Sequence, residues 1–134
     1  MFNPRSSEFQ RCHYYTFKNS VEIPYGHKPH VFTRNFNPNK SDEVVEVYIA
    51  IYGTQSKNSS KPDGLNIEVF CMTVNGVGHH YGATMRNPST VEVEYMICLF
   101  NKVVAEVNLV DKLSYKNFKE IMRKNEIHFV CNDT

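Results

Sequence analysis

The chain has no tryptophan, only six glycines and six prolines in 134 residues, and four cysteines with no pairing motif. Cys12, Cys71, Cys98 and Cys131 include no C-x-x-C pair, which excludes a zinc ribbon and a thioredoxin-type redox motif. Neither sign of charge prevails: fifteen Lys and Arg face fourteen Asp and Glu, and the charges are scattered. The electrostatic footprint of a dedicated nucleic-acid binder is therefore missing. No apolar run approaches the roughly 20 residues that span a bilayer, so no membrane contact is expected. The opening Met1-Phe2-Asn3-Pro4-Arg5 has no signal-peptide core, and the expected location is intracellular, cytoplasmic or nuclear, with the cysteines as free thiols.

What the chain has is alternation. In 44–52, 65–74, 77–85, 91–100 and 103–110 the apolar residues fall at every second position, the period that puts alternate side chains on one face of a strand. Val45, Val47, Ile49 and Ile51 form one row, Leu65, Ile67, Val69 and Cys71 the next. Val91, Val93, Tyr95, Ile97 and Leu99 lead through Asn101-Lys102 into Val103, Ala105, Val107 and Leu109, which reads as a hairpin of two strands. Val74-Asn75-Gly76-Val77 reads as a two-residue hairpin turn whose Asn-Gly pair accepts positive φ. Shorter strands are expected at 12–17, 21–23 and 30–36, with turns at 24–26 and 37–42 and a polar loop over 53–63. After Asp111 the period changes: Leu113, Phe118, Ile121 and Met122 suit one helical face, with Ser114 as N-cap and Arg123-Lys124 near the end. Ile127, Phe129 and Cys131 close the chain as a last strand.

Candidates for chemistry are few. His79 and His80 are adjacent on a strand and point to opposite faces, so they do not share a metal. Cys12-His13 diverge in the same way and make a poor nucleophile–base pair. Glu92 and Glu94 share a face of their expected strand, as solvated outer-face glutamates commonly do. Val74-Asn75-Gly76-Val77-Gly78 lies in a hairpin and not between a strand and a helix, which excludes a phosphate cradle. The chain is expected not to be an enzyme and to need no metal or cofactor. Tyr14, Tyr15 and Phe17 put aromatics on both faces of an early edge strand, which invites a partner.

Three stretches carry a family likeness: Val47-Tyr48-Ile49-Ala50-Ile51-Tyr52-Gly53-Thr54, a strand ending in a Gly-Thr turn; residues 65–76, a strand entering an Asn-Gly hairpin; and Ala83-Thr84-Met85-Arg86 followed by Pro88-Ser89. With Tyr25-Gly26-His27 upstream, their order resembles the TRAF-like substrate-binding domain of the seven-in-absentia (Siah) ubiquitin ligases. That resemblance implies an all-β fold, an antiparallel β-sandwich of about eight strands with one short helix before the last strand, occupying 12–134 behind an N-terminal arm at 1–11. It also implies dimerisation and capture of extended peptides along the strand before the Tyr-Gly-His step. The peptide-binding residues are then Tyr15, Thr16, Phe17, Lys18, Val21, Glu22 and Ile23, with Lys18 and Glu22 as rim charges. The RING and zinc-binding region of those ligases and the tryptophan expected near the peptide strand are both missing.

The function expected from these readings is a non-catalytic protein-interaction domain. It would bind an extended peptide or a partner protein at a sheet edge, as a homodimer or heteromer, and act as a substrate adaptor in ubiquitin-linked degradation. Two alternatives stand beside it: a lectin-like sandwich using His79, His80, Tyr81 and Arg86, and a structural subunit of a heteromeric complex. Tyr48, Tyr52, Phe70, Met72, Val74 and Phe100 occupy the outer faces of their expected strands and call for a second cover.

Overall fold

The structure is a computed structural model that describes residues 21–133. A short 3₁₀ turn, Pro24–Gly26, precedes β1 (His30–Asn35), β2 (Val44–Thr54), β3 (Gly64–Thr73) and β4 (Gly78–Arg86). Two helices follow, α1 (Thr90–Asn108) and α2 (Tyr115–Lys124), and the chain returns as β5 (His128–Asp133). Strand order in the sheet is the chain order, β1-β2-β3-β4-β5, and every neighbouring pair is antiparallel. The arm expected at 1–11 and the strand expected at 12–17 lie outside the described residues.

This architecture overturns the eight-stranded sandwich. One open five-stranded sheet carries both helices, and the segments 91–100 and 103–110 are not a β-hairpin but the single helix α1. Their apolar residues satisfy two periods at once. Read at helical spacing, Val93, Met96, Leu99, Phe100, Val103 and Val107 make one buried stripe, and this is the stripe that the structure uses. The N-terminus decides in its favour. The Ser89 hydroxyl accepts from the Glu92 N–H at 3.2 Å while the Glu92 carboxylate accepts from the Ser89 N–H at 2.9 Å, a reciprocal capping box. Glu92 is thus a helix cap, not half of a strand-face carboxylate pair with Glu94. At the other end the Arg34 guanidinium, reaching from β1, donates to the Val107 carbonyl at 2.6 Å and satisfies a last-turn acceptor.

The remaining elements follow their sequence signals more closely. Ser114 caps α2 by accepting from the Asn117 N–H at 3.1 Å. β3 and β4 form a hairpin, but only Gly76 takes positive φ (86°). Gly76 N–H bonds to the Thr73 carbonyl and Thr73 N–H to the Val77 carbonyl, so the loop is longer than two residues, with glycine where the chain must turn left-handed. The expected strand at 21–23 shrinks to isolated bridges, Val21 with Gly53 and Ile23 with His27. Gly53 is required there, because a Cβ would stand 1.8 Å from the Glu22 carbonyl oxygen.

The two faces of the sheet carry two cores. Odd residues Val47, Ile49 and Ile51 of β2 and Leu65, Ile67, Val69 and Cys71 of β3 join Tyr81 and the helix residues in one cluster. Even residues Tyr48, Ala50, Tyr52, Phe70 and Met72 form a second cluster, at most 5% exposed, in which no helix residue takes part. Phe100, expected beside them, belongs to the helix-side core, and Val74 is exposed. Cys131, which alternates with Ile127 and Phe129 in the last strand, is exposed. Among the described residues no helix is long and apolar enough to cross a membrane.

Candidate binding groove

β4 is longer than its neighbour. Its pairing with β5 ends at Gly82 opposite His128, while on its other side it stays paired with β3 as far as Arg86 opposite Gly64. Residues 83–86 therefore have a strand on one side only among the described residues. Alternate residues of such a segment turn both N–H and C=O outward, ready for another strand. Ala83 and Met85 direct their side chains to the helix side, where they pack on the core.

Against that edge lies a cavity of about 190 Å³ between the end of β4, α1 and the α2–β5 junction, walled by Met85, Tyr95, Met96, Leu99, Asn125 and Glu126 among others. A second cavity of about 220 Å³ continues along α1 past Cys98, Lys102 and Lys124. The two share Tyr95, Leu99, Asn125 and Glu126, and so form compartments of one groove. Val91, Tyr95 and Cys98, spaced by four and three along α1, form an exposed stripe, of which Tyr95 and Cys98 reach the groove; Tyr95 is 56% exposed.

Asn125 closes α2. Its N–H reaches the Ile121 and Met122 carbonyls, the following Glu126 takes φ 57°, and Ile127 N–H returns to the Met122 carbonyl at 3.0 Å, a left-handed helix stop on a residue other than glycine. The Asn125 side chain is 3% exposed. Its Nδ2 donates to the Ile121 carbonyl at 2.8 Å and to Glu106 Oε2 at 3.2 Å, and Glu106 is also paired with Lys124 at 3.4 Å. Both partners of Nδ2 are pure acceptors, which fixes the orientation of the amide. Oδ1 has no partner among the described residues, and a buried unpaired acceptor costs about 1–3 kcal/mol.

Two other polar clusters are already satisfied. On the helix side His79 stacks on Tyr115 with ring centroids 3.8 Å apart, its Nδ1 lies 2.8 Å from Asn132 Oδ1, and the Tyr81 and Tyr115 hydroxyls are 2.9 Å apart. Burial lowers the His79 pKa and raises those of Tyr81, Tyr115 and Cys71, so every member is held neutral and Cys71 is an inert thiol. On the second face the Tyr52 hydroxyl donates to Glu68 and accepts from Asn66, and its pKa is raised, first by burial and then by the Glu68 charge. A cavity of about 250 Å³ lies among loops beside Tyr25, Lys61 and Asn87, but there the Tyr25 hydroxyl is bonded to the Pro88 carbonyl and the Asp63 carboxylate to Ser56.

The residues expected to bind peptide do not meet at the groove. Tyr15, Thr16, Phe17 and Lys18 lie outside the described residues. Val21 exchanges both main-chain bonds with Gly53 of β2, Glu22 is exposed, and Ile23 is 1% exposed inside the helix-side core. His79 and His80 do diverge, His79 onto Tyr115 and His80 onto Phe70, which separates the members of the lectin-like set. Among the described residues no three His, Cys, Asp or Glu side chains gather as a metal site. The alternation of 91–100 places Tyr95 in a strand row, and the Ser89-x-x-Glu92 box is the signal that puts it on a helix instead; no local signal marks Asn125, at the end of α2, as part of a groove. Compared with family models, curated proteins and solved structures, the chain matches none of them.

Proposed function

We propose that this chain is a non-catalytic binding domain that captures an extended segment of a partner protein at the free edge of β4. One observation carries the reading: residues 83–86 run past β5 with their outward main chain unpaired among the described residues, directly beside a cavity that can receive side chains. Main-chain bonds to such an edge provide affinity, and a pocket flanking it reads every second residue of the added strand. The exposed Tyr95 ring offers a rigid wall of the kind that anchors interfaces. The edge-binding mode expected from the sequence is retained, at a different strand. The sandwich that linked it to ubiquitin ligases is gone, and the degradation adaptor has no remaining support here.

A linear peptide selected from a displayed random library tests the proposal. Binding should slow amide hydrogen exchange of residues 83–86, and Tyr95→Asp, a change at a half-exposed position, should weaken binding at least about tenfold with the fold intact. Failure to select any linear peptide, or protection confined to other strands, overturns it.

A further inference from the structure

The groove has one feature that its shape does not explain: a carbonyl oxygen oriented by the protein and left without a donor among the described residues. The Asn125 amide is fixed through Nδ2 by Ile121 and Glu106, so Oδ1 faces away from both. Among the described residues no donor meets it, although the residue is nearly fully buried and lines both compartments of the groove. The other walls common to the two compartments are the Tyr95 ring, the Leu99 side chain and the exposed Glu126. Among them Asn125 alone presents a buried, neutral acceptor. Such a group discriminates strongly, because a ligand with a donor satisfies it and one without leaves it unpaired.

We infer that Asn125 is the polar recognition group of this groove, accepting through Oδ1 a main-chain N–H from the bound segment. The inference rests on the reading of the β4 edge as a peptide-binding site. A strand added there turns alternate N–H groups towards β4 and the others away from it, and an outward one must find an acceptor in the groove wall. Oδ1 has no solvent exposure, so admitting the donor requires the turn at Asn125 and Glu126 to open. That turn is fastened from the α2 side, by Asn125 N–H to Ile121 and Met122, Glu126 N–H to Arg123 and Ile127 N–H to Met122.

The test is an ester scan of the selected linear peptide, in which each main-chain N–H in turn is replaced by oxygen, against the unsubstituted protein and Asn125→Leu. One ester position should weaken binding to the unsubstituted protein about tenfold, the worth of one hydrogen bond, and change binding to Asn125→Leu less than about twofold. Esters at alternate positions, whose N–H groups bond to β4, should weaken binding to both proteins equally. If those alternate losses occur and none depends on Asn125, the role of Asn125 is overturned while the edge site stands. If the alternate pattern itself is missing, the edge reading fails and takes this inference with it. Should Asn125→Leu not fold, the carboxamide carbon resonance of Asn125 in the unsubstituted protein decides. It should shift with the amide peptide and not with the matching ester, and equal shifts overturn the inference.

Discussion

His79 shows how burial acts on a single residue. Enclosure between β4, β5 and α2 disfavours its imidazolium; the bond with Asn132 pulls the other way, and the nearby Lys119 charge adds to the lowering. The folded pKa is thus below the ordinary value near 6.5, and as pH falls the unfolded chain takes up the proton first. The stability that neutral His79 confers is complete above pH 6.5 and declines as pH drops from there towards the folded value. The urea midpoint should accordingly be lower at pH 5.5 than at pH 7.5, and His79→Gln should flatten that difference; an unchanged slope in the variant would refute the assignment. The cysteines offer a second residue-scale outcome. Burial raises the Cys71 thiol well above its usual range, whereas Cys98 and Cys131 are exposed. Native labelling with a thiol reagent, mapped by mass spectrometry, should modify Cys98 while Cys71 reacts only after unfolding.

At the scale of elements, α1 is the instructive case. A run with valine, isoleucine or leucine at 91, 93, 97 and 99 alternates well enough for a strand, and β-branched residues favour that reading. The same run places apolar residues at 93, 96, 100, 103 and 107, and a sheet face in need of cover selects this second pattern. Periodicity alone does not separate the two. The cap does, since Ser89 and Glu92 satisfy two N–H groups that only a helix leaves open. Ser89→Ala should therefore cost about 1 kcal/mol, read as a lower urea midpoint with an unchanged denaturant slope. β2, β3, β4 and α2 were legible because each carries a single period and its own punctuation: Asn75-Gly76 between β3 and β4, Ser114 before α2. The groove was not legible, because it exists only where the end of β4 and the neighbouring α1 meet the α2 stop, which lies far along the chain.

For the molecule as a whole, the sheet is the shared wall of two buried clusters. Phe118 anchors the helix side and Phe70 the other face, both without solvent exposure. Phe118→Ala and Phe70→Ala should each cost about 3–5 kcal/mol. Since the strands belong to both clusters, each variant should still melt in one transition when followed by helix and by tyrosine signals; separate transitions would show that the two faces are independent units. The sequence by itself determined that 44–52 and 65–73 are strands with two distinct faces, that a glycine turn joins β3 to β4, and that a capped helix precedes the last strand. Those are local matters of period, cap and turn. Tertiary structure decided that residues 90–108 are helical, that the layer on the odd-residue face consists of helices and not a second sheet, and that among the described residues β4 outruns β5. Each of these depends on which surface a segment meets, and an ambiguous apolar pattern takes the form that buries most of it against the face already there.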